Sequence, residues 1–206
     1  MSIKENAVVP PRLNFRWRVV DIVVASVLGV AVALIFVAFN LGWSGIKAPF
    51  EALLPGFQGL LEPVWYIGGV LGALVIRKPG AAIYVETVAA LVSALVGNQW
   101  GGFSTIEAGL VQGLGAEIIF LLFAYRVWNL PVTLLAGATA GIFGAVNSII
   151  FWSPGASWGF ITVYVGAQII GGALIAGLLV WFAVKSLAAT GALNRFAVGR
   201  SLGVRV

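Results

Sequence analysis

The sequence predicts an all-α membrane protein, a bundle of six transmembrane helices with both termini on one side. Three observations predict it. Of the 206 residues 61% are hydrophobic and only 9% charged, where a soluble domain carries about a quarter charged residues. The mean hydropathy is +1.05. The apolar residues also gather into six runs near the ~20 residues that one span needs, which leaves little chain for a soluble domain.

Each run has its own justification. The first, 19–41, follows basic residues as a signal peptide would, but Val19 to Leu41 exceeds the roughly 7–15 apolar residues of a signal sequence and is expected to be a span. SGIKAP at 44–49 ends it, and a long outer loop over 42–62 follows, with Trp43, Phe50, Phe57 and the acids Glu51 and Glu62. The second run, 57–76, is interrupted at Glu62–Pro63, because proline cannot continue a hydrogen-bonded helix interior. Irregular backbone at membrane depth is tolerated only inside protein or along a cavity, and an interrupted span points to a binding site. An interfacial hairpin with aromatic anchors is the other reading.

The remaining runs lie between turn-like breaks. RKPG at 77–80 precedes 81–97, GNQWGG at 97–102 precedes 106–125, RVWNLP at 126–131 precedes 131–152, and SPGASWG at 153–159 precedes 159–185. Pro79 and Pro131 suit the first turn of a helix, where a missing N–H costs nothing. Residues 1–18 and 186–206 are expected to be tails on one side of the membrane.

Charge sets the expected orientation. With six spans, all of the 12 lysines and arginines except Lys47 fall on the side of the termini. Basic loops stay in the cytoplasm, so both termini are expected there. The net charge of +5 is then a topology signal rather than a nucleic-acid footprint. The chain has no cysteine and no histidine, which removes disulfides, thiolate nucleophiles, imidazole bases and the usual zinc ligands. No GxxxxGK[ST] loop occurs, so ATP hydrolysis by that route is excluded. Neither an enzyme nor a bound metal or cofactor is expected.

The polar residues inside the spans carry the functional question. A charged side chain at mid-bilayer costs about 2.5–3.5 kcal/mol on insertion scales, so Glu86 and Glu117 need a reason. Each lies 11 residues from the outer end of its run, or ~16 Å at the helical rise, which puts both near the midplane. They either brace helices, tied to backbone or to Arg77, Lys78 or Arg126, or help to receive a cationic or amine-bearing ligand. Asn98, Trp100, Glu107, Gln112, Asn147, Tyr164 and Gln168 form a wider polar set in the outer half. Amides, acids and aromatics without a base suit a flat, nitrogen-rich, positively charged molecule. Gly109, Gln112, Gly113 and Ala116 share one helical face, open to a neighbouring helix or to a ligand. In the first span Ala25, Gly29 and Ala33 form a small-residue stripe, for packing inside the bundle or for an external partner.

The block IRKPGAAIYVETVAALVSALVGNQWGG, followed by GLVQGLGAEIIF, resembles the YkoE family, as do EPVWYIGG at 62–69 and SLAATGALN near the C-terminus. These are substrate-capture (S) subunits of energy-coupling-factor (ECF) transporters for thiamin and its hydroxymethylpyrimidine precursor. The resemblance covers about residues 56–195. It implies a six-helix S-component fold, an outward-opening pocket with the first outer loop as lid, and partners: a transmembrane coupling (T) subunit and cytoplasmic ATPases. Docking through a small-residue pattern in the first helix would fall on Ala25, Gly29 and Ala33. The matching blocks carry over Glu62, Trp65, Tyr66, Glu86, Asn98, Gln112 and Glu117 as substrate-binding candidates; Asn147, Tyr164 and Gln168 rest on depth alone. The resemblance further implies that the partner tilts the S subunit to release its cargo inward. Two rivals stand beside this: a proton-coupled secondary transporter using Glu86 and Glu117, and a structural scaffold that binds no small molecule.

Overall fold

The computed structural model describes residues 15–194 together with 196 and 199. The expected tail 1–18 therefore lies outside the described residues over 1–14, as do Arg195, Arg200 and Arg205 of the expected tail 186–206. Among the described residues every regular element is helical. Five helical stretches are long and apolar enough to cross a membrane: Val19–Leu53, Phe57–Ile76, Gly102–Leu122, Leu130–Phe151 and Trp158–Ala189; Ala81–Val96 is apolar but shorter. This is a multi-pass membrane protein.

Helix α1 runs from Val19 to Leu53 without interruption. Its 35 residues extend about 52 Å, well beyond the ~30 Å hydrocarbon core. The expected loop over 42–62 is thus helical to Leu53. Pro49 is tolerated inside it because the carbonyl it leaves unpaired, that of Gly45, belongs to an exposed residue that solvent can reach.

The second stretch is interrupted where Glu62–Pro63 predicts. Two 3₁₀ turns, Phe57–Leu60 and Glu62–Tyr66, lead into the ten-residue helix α2, Ile67–Ile76. All of α2 except Ile67 and Leu71 is buried. It packs against α3 (Ala81–Val96), α4 (Gly102–Leu122) and the last stretch, so its irregular approach lies inside protein, as lipid requires. Pro79 stands in the turn before α3 rather than in its first turn.

Helix α5, Leu130–Phe151, has Pro131 in its first turn and is capped by Asn129, whose side chain accepts the Val132 N–H at 3.1 Å. The final stretch is α6 (Trp158–Gly171), a π-helical segment (Gly172–Leu179) and α7 (Val180–Ala189). Helix α5 lies on it backbone to backbone: a Cβ at Gly137 would strike the Gly172 carbonyl, and one at Gly141 the Gln168 carbonyl. Glycine is required there by close approach.

The small stripe of α1 turns inward. Ala25 and Ala33 are wholly buried, and a Cβ at Gly29 would lie 2.6 Å from Val88 Cγ1 of α3. Within the bundle, Ala25, Gly29 and Ala33 are thus covered by the protein's own helices. Gly109 and Gly113 of α4 are likewise filled by α3, with Ala90 Cβ 2.5 Å and Ile83 Cα 2.9 Å from the positions of added Cβ atoms.

Candidate functional site

A cavity of about 250 Å³ opens at one end of the bundle, bounded by the overhanging end of α1, the two 3₁₀ turns, and the near ends of α3 to α6. Its aromatic side is a chain of edge-to-face rings. Trp43 meets Trp65 at 4.8 Å between centroids, Trp65 meets Trp100 at 5.7 Å, and Trp100 meets Trp152 at 5.6 Å. Such pairs hold one another's orientation and add about 0.5–1.5 kcal/mol each beyond burial. Trp100 is further placed by its indole N–H, which donates to Asn40 Oδ1 at 3.2 Å.

The polar side centres on Glu62. Tyr164 Oη–H and Gln168 Nε2–H both donate to its Oε2, the latter at 2.6 Å, and Tyr66 Oη–H donates to Gln168 Oε1 at 2.6 Å. Both bonds to the carboxyl end on Oε2, so Oε1 is the oxygen left for whatever fills the cavity. The geometry is built by the Glu62–Pro63 break, which turns this carboxyl toward α6. Phe160 stacks on Tyr164 with ring planes 16° apart. Two carboxyl groups, Glu51 and Glu62, face one ammonium among the lining residues, Lys47, and Lys47 is already paired with Glu51 at 2.9 Å. The wall therefore favours a flat, cationic or amine-bearing ligand over an anion.

Of the candidate residues, Glu62, Trp65, Tyr66, Gln112, Asn147 and Tyr164 reach the wall. Gln168 stands directly behind it through its bonds to Glu62 and Tyr66. Asn147 donates to Glu107 at 2.7 Å. Asn98 is not at the wall: it braces the α3–α4 turn, donating to Thr105 and accepting the Trp100 N–H at 2.9 Å.

Glu86 and Glu117 are also absent from the wall. Glu86, fully buried, accepts the Gly69 N–H of the first turn of α2 at 2.6 Å. Glu117 accepts the N–H groups of Gly80 and Ala82 at 2.7 and 2.8 Å and the Tyr125 hydroxyl at 2.6 Å. Each acid serves the start of a neighbouring helix, where backbone donors lack intrahelical partners and negative charge is favoured. They do not share a depth either. Helix α4 begins at Gly102, so Glu117 lies ~22 Å from that end at the helical rise, and the groups it binds stand at the opposite end of α2 from Gly69. Of their two open roles, bracing of helices is the one that the bonds support, through backbone rather than through a base.

The far end of the bundle is basic. Buried Asp21 binds both Arg18, at 2.9 Å, and Lys78. Arg77 lies over the Trp128 ring at 5.3 Å. Burial lowers its guanidinium to about 10, so it stays charged at neutral pH. Sequence reasoning missed Gln58, Asn40 and Lys47 as lining groups; for Lys47 the reason is the expected loop at 42–62, which hides the helical overhang that carries it.

Comparison with known proteins assigns the chain. The model of a family described as "ABC-type cobalt transport system, permease component" matches residues 20–143. The chain is 38% identical over 193 residues to YkoE of Bacillus subtilis (strain 168), which carries the name HMP/thiamine permease protein, across 90% of this chain and 92% of that one. The chain belongs to the YkoE family. A crystal structure of an S-component of an ECF transporter superposes with a TM-score of 0.84 at 34% identity, covering 92% of this chain and 95% of that one. The YkoE-family chain thus has the S-component fold, that of a transport component. The cobalt in the family description finds no matching donors here: the chain has no histidine or cysteine, and no group of three or more acids able to hold a metal occurs among the described residues.

Proposed function

We propose that this protein is a membrane capture subunit that binds thiamin or its hydroxymethylpyrimidine precursor in the cavity and passes it on through an ATP-driven ECF complex. The observation that carries this is that an aromatic chain, Trp43–Trp65–Trp100–Trp152, and the Glu62 carboxyl line one cavity. Thiamin joins an aminopyrimidine to a cationic thiazolium: the first needs paired donors and acceptors, the second a carboxyl or a ring face. The name of the YkoE relative supports the same cargo.

In this reading six crossings, α1, the 57–76 stretch, α3, α4, α5 and the 158–189 stretch, sit in the cell membrane with the basic end and both tails cytoplasmic. The cavity then faces outward, and α1 overhangs it as a lid. A T subunit and ATPase subunits supply the energy. Because Ala25, Gly29 and Ala33 are buried against α3, the T subunit would meet another face of the bundle.

Isothermal titration of the purified chain in detergent with thiamin, then with hydroxymethylpyrimidine, tests the proposal. One-to-one binding by the isolated chain is expected, and the tighter ligand names the cargo. A folded chain that binds neither overturns it.

A further inference from the structure

The basic end of the bundle, opposite the cavity, gathers more cations than its acids balance. Lys78 Nζ donates to the Arg16 carbonyl at 2.6 Å, and the Phe15 ring meets that of Tyr125 edge to face at 5.8 Å. Trp128 Nε1–H donates to the Tyr125 carbonyl at 3.1 Å, and Arg77 lies over the same indole. These contacts bring together Arg16, Arg18, Arg77, Lys78 and Arg126. Among the described residues the acids beside them are Asp21 and Glu117, both buried and both taken: Asp21 by Arg18 and Lys78, Glu117 by the backbone of Gly80 and Ala82 and by Tyr125. Five cations against two acids leave a surplus of three charges, and Arg16, Arg18 and Arg126 are exposed. Apolar surface runs straight into these groups. Val19 and Val20 follow Arg18, and Leu121 and Leu122 come shortly before Arg126, all four exposed. Ala124 (φ 50°) and Tyr125 (φ 53°) make the bend that turns Tyr125 inward to Glu117 and leaves Arg126 outside. Neither is glycine, so the chain accepts backbone strain to hold this arrangement.

We propose that this surface binds the headgroup phosphate of an anionic phospholipid from the leaflet around it. Two adjoining chemistries select that occupant: the exposed aliphatic side chains take acyl chains, and the guanidinium groups directly beyond them take a phosphate through paired hydrogen bonds. A free phosphate would use only the second of these, and an acidic peptide arriving from water would leave the first without a function. Because Arg16 and Lys78 join the approach to α1 to the 77–80 turn, and Phe15 joins it to the end of α4, a lipid held here ties three segments of the bundle together. The proposal goes beyond the capture reading and does not depend on the cargo.

The test is thermal unfolding of the full chain in neutral detergent with phosphatidylglycerol, phosphatidylcholine, inorganic phosphate or poly-glutamate added. Phosphatidylglycerol at about ten times its Kd is expected to raise the unfolding temperature by about 3–6 °C, well beyond the shift given by each of the other three. Arg126→Gln is expected to weaken the phosphatidylglycerol affinity about fivefold, the worth of one basic group at a charged leaflet. Arg16→Gln should do the same, and keeps the proposal open to refutation if the first variant does not fold. Equal shifts from phosphatidylglycerol and phosphatidylcholine overturn it, as do equal shifts from phosphatidylglycerol and either inorganic phosphate or poly-glutamate. Folded variants with wild-type affinity also overturn it. Each of these failures leaves the capture reading standing, because thiamin titration reads the other end of the bundle.

Discussion

Glu117 accepts the backbone N–H of Ala82 at 2.8 Å, so an acid of α4 closes the start of α3. Its other oxygen takes Gly80 N–H and the Tyr125 hydroxyl. A carboxyl that is costly in lipid is therefore spent on backbone donors that would be equally costly unpaired. Removing it in Glu117→Ala is expected to cost about 3 kcal/mol or more, since hydrogen bonds to a charged group contribute about 1.5–3 kcal/mol each. The unfolding temperature in detergent should drop, while thiamin affinity of the folded fraction stays within about twofold. A large affinity loss at unchanged unfolding temperature would return Glu117 to the ligand site.

Glu86 permits a sharper comparison, because the proton-carrier reading depends on it. Glutamine keeps an oxygen for the Gly69 N–H that Glu86 now accepts at 2.6 Å but cannot carry a proton. Glu86→Gln should therefore leave stability and uptake close to wild type, whereas Glu86→Ala should destabilise through the exposed Gly69 donor and the void left. Uptake abolished by glutamine alone, with the fold intact, would favour proton coupling.

The ring chain predicts a graded response at Trp100. It touches Trp65 and Trp152 and anchors Asn40. Trp100→Ala removes both ring contacts and should weaken thiamin binding by about tenfold or more, whereas Trp100→Phe should cost less. Equal effects of the two variants in titration would argue that the rings only pack.

The charge balance at the mouth predicts selection against anions. Lys47 is paired with Glu51, and Glu62 adds a second carboxyl. Thiamin monophosphate should bind at least about tenfold more weakly than thiamin. Glu51→Gln, which frees Lys47, should narrow that gap. Competition titration at fixed ionic strength reads both, and equal affinity for the two ligands would refute the argument.

Gly29 separates bundle packing from partner docking. An added side chain there meets Val88 within the same chain, so Gly29→Val should destabilise the isolated protein by about 1–3 kcal/mol, as overpacking does. A stripe reserved for a T subunit would leave the isolated chain unaffected and impair only the assembled transporter.

Much of the architecture is legible in the sequence because lipid is a simple solvent. Apolar runs must become helices, since every backbone group has to be satisfied within the segment, and Glu62–Pro63 had to break one of them. The candidate site was partly legible too: the family resemblance brings forward Glu62, Trp65, Tyr66 and Gln112, depth brings forward Asn147 and Tyr164, and all six line the cavity.

What the tertiary structure alone decided is the partner each of those groups takes. Composition and spacing bring Glu86 and Glu117 to the interior, but a carboxyl can satisfy its oxygens with a ligand or with a helix terminus at similar local cost. In the folded bundle α2 is short and central and presents the starts of α2 and α3 to those acids, with one oxygen of Glu86 left unpaired. The same holds for Ala25, Gly29 and Ala33: their spacing determined that a helix could come close, and only the packing of α3 against α1 decided which one. The sequence by itself determined the helical, membrane-spanning class, because that depends on residue type along one chain. Contacts between helices depend on shapes contributed by several segments at once, and those only the folded bundle supplies.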